Sequence, residues 1–207
     1  MFNELVDLFF DHFIAIFYDL HPVALGVLDQ LVGHELAEVG GGVDRENHVD
    51  SGPMKFGDLH EGLVGPFFVF EHAELENQRY RGGLSSADVT LAVGNSGDTQ
   101  IELIVCENQA PSVYKEFIDA GKSGVHHVGL MPTDYKATCL QFQSLGFDVA
   151  FECSIGGTDL VYFDTVDALG HFTEFWDNSD AFRDFQRFVK HAAQHWDGSD
   201  PIRTGDL

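Results

Sequence analysis

Residues 124–176, GVHHVGLMPTDYKATCLQFQSLGFDVAFECSIGGTDLVYFDTVDALGHFTEFW, decide the fold. His127–Met131 reads as a strand. Thr133 or Asp134 then caps a helix running to Leu145, and Gly146 with Phe147 after it forms a C-cap pattern. Three more strands follow, Val149–Cys153, Leu160–Phe163 and Phe172–Trp176. Gly156-Gly157-Thr158 and Ala168-Leu169-Gly170 supply the turns between them. The order is β-α-β-β-β.

Upstream, the same grammar recurs. Phe67–Glu71 (FFVFE), Val89–Val93 (VTLAV) and Gln100–Val105 (QIELIV) are short runs of β-branched and aromatic residues separated by turn formers. Asn95-Ser96-Gly97-Asp98 is a hairpin turn, which predicts that the second and third runs pair antiparallel. These match the last three strands of the later unit, so the helix and first strand of this half are expected before Gly65. Pro111–Ala120 reads as a short helix between the halves. Two tandem βαβββ modules, the first incomplete, make an α+β fold whose paired halves enclose a cup suited to a small molecule. The expected division is 1–53 for an atypical helical extension, 54–120 for the first module, and 121–207 for the second with its tail.

Residues 1–39 have helical rather than strand periodicity. Leu5, Leu8, Phe9, Phe13, Ile16, Phe17 and Leu20 fall on one helix face, Pro22 opens a second helix, and Gly40-Gly41-Gly42 stops it. This extension is expected to pack on the body or to serve as a dimer-forming arm. At the other end, Ala181–His195 reads as an amphipathic helix and 196–207 as polar coil.

Composition narrows the function classes. Thirty-four acidic against 11 basic residues give a formal net charge of -23. Such a surface repels phosphate backbones and anionic lipid, so no nucleic-acid or membrane partner is expected. Leu8–Leu20 is interrupted by Asp11 and His12, follows no basic residue, and is shorter than the roughly 20 residues a span requires. No export signal or membrane segment is read, and the expected location is cytoplasmic. Cys106, Cys139 and Cys153 lack CxxC spacing and read as reduced, buried thiols.

Chemistry is expected where strands meet in the cup. His127 opens the first strand of the second half, and Glu174 shares a face of its last strand with Phe172 and Trp176. Glu102 holds the matching place in the first half, aligned with Gln100 and Ile104. A buried carboxylate is costly unless paired or bound to a cation. One imidazole and two carboxylates suit a divalent ion such as Zn, Mn, Fe, Co or Ni, and a carboxylate ligand can double as a base. Each residue alone is weak; three at matching places in a repeat are the signal. His126, as His127's neighbour, should point the opposite way. His72, His171, His191 and His195 read as surface or structural, and no GxGxxG, P-loop, GxSxG or HExxH occurs.

GVHHVGL (124–130), the helix from Asp134 to Leu145-Gly146-Phe147, VYFDT (161–165) and GHFTEFW (170–176) resemble one half of a vicinal-oxygen-chelate protein. So do GPFFVFEH (65–72), QIELIVCEN (100–108) and APSVY (110–114), and the closing WDGSDPIR (196–203) is similar to the glyoxalase-like subgroup. The resemblance runs from about residue 64 to 203 and leaves out residues 1–53. It implies a U-shaped sheet and a divalent metal held by four residues from the first and last strand of each module. Carried over by position, these are His127, Glu174 and Glu102, with a fourth near Glu46–His48, where His48 is the donor type.

The resemblance also implies a choice of reactions on a small-molecule substrate, and a homodimer is expected. Oxygen chemistry of the extradiol type wants two His and one carboxylate, whereas this chain matches one His and two Glu. The expectation is proton transfer next to a carbonyl or thioester, as in lactoylglutathione lyase or methylmalonyl-CoA epimerase, with Glu174 as base. The competing expectation is a metal-free binding protein of bleomycin-resistance type, its cup lined by Phe68, Phe70, Phe172 and Trp176.

Overall fold

The structure, a computed structural model, describes residues 13–18, 64–122 and 124–204. The strands are β1 (Phe13–Tyr18), β2 (Phe67–Phe70), β3 (Glu76–Tyr80), β4 (Gly83–Leu84), β5 (Val89–Ser96), β6 (Thr99–Cys106), β7 (Val125–Leu130), β8 (Val149–Ile155), β9 (Thr158–Phe163), β10 (Phe172–Trp176) and β11 (Ile202–Thr204). The helices are α1 (Val113–Asp119), α2 (Tyr135–Ser144), the single-turn α3 (Val166–Leu169) and α4 (Asp180–Gln194). Asp134 caps α2 by accepting from the Ala137 amide, and Gly146 at φ 91° ends it, as the sequence predicts.

All the strands form one sheet in the order β11-β2-β5-β6-β1-β7-β10-β9-β8-β3-β4. Numbering each half from its own first strand, the core reads 2-3-4-1 followed by 1-4-3-2. The repeat is therefore real in space, and its seam is the parallel pair β1 and β7.

Connectivity forces this sheet to curl. Only residues 71–75 separate β2 from β3 in the chain, yet the two strands lie second and tenth in the sheet. Eight spacings of ~4.8 Å would part them by roughly 38 Å in a flat sheet. Six Cα–Cα steps reach only about 22 Å. The two ends must approach one another, and the sheet becomes a cup.

The cup interior is one apolar cluster drawn from both halves, including Leu91, Ile104, Phe151, Tyr162, Phe172 and Trp176, with Val113, Tyr114 and Phe117 of α1 packed into it. Outside, Phe142 of α2 packs on Val161, Phe163 and Phe175. Val189 and Phe185 of α4 cover Phe68, Phe70 and Val93 at the rim. Alternation holds along β6 and β10: Leu103 and Phe175 join outer clusters while Ile104, Phe172 and Trp176 face in.

Two readings of the sequence need correction. Phe13–Tyr18, expected in a helix, is strand β1, antiparallel to β6 and parallel to β7. A strand paired on both edges at a sheet centre is apolar throughout, so FIAIFY carries no period to distinguish it from a buried helix. The first half thus has its first strand, supplied from far upstream. Second, residues 202–204 pair with β2 as β11 instead of remaining coil. The β3–β4 hairpin, with its polar ENQRY strand, was silent in the pattern because its faces are largely solvated. The rest of the expected amino-terminal helices and His48 lie outside the described residues.

Candidate metal centre

Glu102, His127 and Glu174 come from β6, β7 and β10 at the centre of the sheet. β1 lies between β6 and β7, and its Ala15 is in register with both Glu102 and His127. β10 runs parallel to β7 on the other side, Phe172 opposite His127 and Glu174 two residues further along. Strand pairing alone therefore brings the three expected residues together.

His127 Nε2 stands 3.5 Å from Glu102 Oε2 and 3.5 Å from Glu174 Oε2. The side chains are 0%, 8% and 1% exposed respectively, so water screens none of them. Burial pushes the Glu102 carboxyl above its ordinary range. Burial alone would depress His127, but the charges of Glu174 and Glu102 overcome it and hold the imidazole up at about 9. Glu174 Oε2 meets no hydrogen-bond donor of ordinary geometry among the described residues.

His126 is where the sequence reading fails. Along the seam Ile14 pairs with Val125 and Ala15 with His127, so His126 is the extra residue of a β-bulge. A bulge breaks strict alternation, and both histidines end fully buried with His126 Nδ1 2.9 Å from His127 Nδ1. His126 Nε2 reaches the Val113 carbonyl at 3.2 Å. A carbonyl only accepts, so Nε2 carries the proton. Burial keeps His126 well below its ordinary pKa and hence neutral, which leaves its Nδ1 as acceptor and His127 Nδ1 as donor. His127 is thereby fixed with Nε2 toward the two carboxylates, the hydrogen-bonded backing a ligating imidazole requires.

Tyrosines close the other side. The Tyr114 hydroxyl donates to Tyr162 at 3.0 Å, and the Tyr162 ring stands 5.0 Å from that of His127. Burial, then the charge of Glu174, pushes the Tyr162 phenol well above its ordinary range. The pair contributes neutral hydroxyls beside Glu174 rather than further charge.

The residues fit a divalent cation. An ion ~2.1 Å from two donors at a tetrahedral angle holds them about 3.4 Å apart, close to the nitrogen–oxygen separations seen here. Two carboxylates and one imidazole in a dry pocket leave negative charge that a cation would neutralise. Among the described residues no group of three or more His, Cys, Asp or Glu side chains forms a ready-made metal-holding arrangement, so the carboxylates must adjust onto an ion. Ala15, at the level of Glu102 and His127, is a residue type without a donor atom.

A cavity of about 290 Å³ leads to this cluster through Glu102. Phe70, Leu91, Val93, Ile155 and Phe185 give it apolar walls, with Trp176 at its edge. The cysteines stay apart from the chemistry: burial pushes the Cys106 and Cys139 thiols up to about 11 and Cys153 well above its ordinary value. Among the described residues no helix is long and apolar enough to cross a membrane.

Residues 63–163 match the Glyoxalase/Bleomycin resistance protein/Dioxygenase superfamily, a span that includes Glu102 and His127 and ends before β10. Among solved structures, a variant of Streptomyces coelicolor methylmalonyl-CoA epimerase in complex with 2-nitronate-propionyl-CoA is similar at 15% identity, covering 82% of this chain and 94% of that one with a TM-score of 0.37. The Mycobacterium tuberculosis methylmalonyl-CoA epimerase is similar at 14% identity, covering 84% and 90% with a TM-score of 0.41. A hypothetical protein of Bacillus halodurans C-125 has 15% identity, covering 82% and 94%, and a TM-score of 0.43. No curated protein matches the chain.

Proposed function

We propose that this chain, whose residues 63–163 match the glyoxalase/bleomycin resistance protein/dioxygenase superfamily, is a divalent-metal-dependent enzyme. Its reaction is proton transfer next to the carbonyl of a small metabolite, as a lyase or epimerase. The observation that carries the reading is the convergence of His127, Glu102 and Glu174 in a buried cup.

His127 Nε2, Glu102 and Glu174 would hold the ion, one of Zn, Mn, Fe, Co or Ni. When bound, it polarises the substrate carbonyl and takes up the negative charge that develops on its oxygen. Glu174 is the base: its carboxylate takes the proton from the carbon beside the carbonyl, and the C–H electron pair moves toward the carbonyl oxygen. Returning that proton from Glu174 to the neighbouring carbon on the same face completes an isomerisation, whereas an epimerisation needs a proton delivered to the opposite face by a second acid. The apolar walls exclude water, which strengthens each electrostatic contact and protects the carbanion-like species from stray protonation.

Elemental analysis of the purified chain tests this. The expected result is close to one divalent ion per active site, lost in Glu174→Ala; a metal-free protein whose metal uptake ignores that substitution sinks the enzyme reading. The second reading, a metal-free binder of small apolar molecules, is favoured by the aromatic walls of the cavity. A homodimer is part of the proposal and is read by sedimentation of the full chain.

A further inference from the structure

Basic residues are scarce in this chain, 11 against 34 acidic ones, yet three of them line one hollow. Arg183, Arg187 and Lys190 recur along α4 at spacings of four and three, which places them on one helix face. They border a hollow of about 190 Å³ whose other wall includes Asn95, Asp98 and Trp176. Its lining carries three cations and one carboxylate, in a chain of net charge -23.

A second observation also calls for an acceptor. Trp176 is 7% exposed, and its Nε1 is buried with no hydrogen-bond acceptor among the described residues. An indole N–H only donates, so a ligand oxygen that reaches it would relieve it. The ring is held in place by stacking on Phe182, centroids 4.1 Å apart.

This hollow adjoins the cavity of the metal centre. Gln100, Trp176, Phe182 and Gln186 line both, and Gln186 donates to Gln100 at 3.1 Å across the divide. Gln100 precedes Glu102 by two residues on the same face of β6. A ligand with its carbonyl at Glu174 and its far end among the α4 cations spans the two.

We propose that the hollow binds an anionic group, carboxylate or phosphate, at the end of the substrate remote from its reacting carbonyl. Arg183, Arg187 and Lys190 are the cationic partners, and Trp176 Nε1 is the neutral donor. In the structure Arg183 bonds Asp180 and Asn178, Arg187 bonds Asp184, and Lys190 meets Asp98 at 2.8 Å. Those three carboxylates are largely exposed, and solvent-screened pairs hold weakly, so a ligand anion displaces them. Guanidinium groups favour carboxylate and phosphate through their paired N–H geometry.

The inference rests on the proposed reading of the adjoining metal centre. Calorimetric titration of the full chain with octyl phosphate, octanoate and 1-octanol tests it, alongside Arg187→Gln/Lys190→Gln. At low salt at least one anion is expected to bind about tenfold or more tighter than 1-octanol, and the double variant to lose that preference. A stronger response to octyl phosphate assigns a phosphate, and a stronger response to octanoate a carboxylate. Equal binding of the alcohol, no binding of either anion, or an unchanged preference in the variant overturns the proposal. Metal content of the same samples separates the two readings: anion preference without metal uptake keeps this subsite and removes the metal-dependent reaction.

Discussion

In the chain stripped of metal, stability should fall as pH rises through the slightly alkaline range, and His127 is the reason. Its pKa is held at about 9 in the folded state, against 6.5 for an ordinary histidine. A folded pKa raised above the unfolded one contributes stability that is fully present below pH 6.5 and disappears as pH rises through 9. Two and a half units at 1.36 kcal/mol each make this about 3 kcal/mol, with no discount for solvent because the ring is fully buried. His126 acts oppositely: burial lowers its pKa, so its penalty grows only as pH drops below 6.5. The alkaline limb is therefore the diagnostic one.

Urea unfolding of the chelator-treated chain, followed by far-UV dichroism between pH 6.5 and about 8, below the range where the buried thiols add a slope of the same sign, reads this loss directly. His127→Gln should remove most of the slope. Exposed His72, raised by its hydrogen bond to Asp88, slopes the same way, and His72→Gln is the control. Added divalent ion should reverse the trend, because ligation displaces the imidazole proton and grows stronger as pH rises. A chelated chain flat across that window to within about 1 kcal/mol, or a His127→Gln variant with the full slope, refutes the assignment of this charge cluster.

His126→Phe should weaken metal binding by roughly 10–100-fold, while His126→Asn, which keeps one donor and one acceptor, recovers most of it; titration with cobalt followed by its visible absorption measures both. Phe142→Ala should lower stability by about 3–5 kcal/mol, read as a drop in Tm, because its ring fills the space between Phe163 and Phe175. His12 stands seven residues before Asp19, as His127 stands seven before Asp134. On that internal repeat His12→Ala is expected to reduce metal content and His48→Ala to leave it unchanged; the reverse outcome restores His48 as the fourth donor.

The sequence by itself determined the local elements and, through them, the repeat. In the second half, glycine turns, the Asp134 cap and β-branched runs state their structure within a few residues, and β7 to β10 follow closely. The same two-residue period sorted the candidates Glu102 and Glu174 onto the inward face before any strand was paired. Tertiary structure alone decided what depends on neighbours distant in the chain. FIAIFY is a strand because β6 and β7 offer it two free edges, whereas its own apolar run is equally compatible with a buried helix. His126 turns toward His127 because the pairing with β1 skips one residue, and no pattern within VHHVGL records a bulge imposed by another strand. The cationic face of α4 became a binding wall only when the curl of the sheet brought Trp176 and Gln100 opposite it. Local propensity acts over a few residues; register and enclosure are set by the partner strand, which the pattern of one segment does not contain.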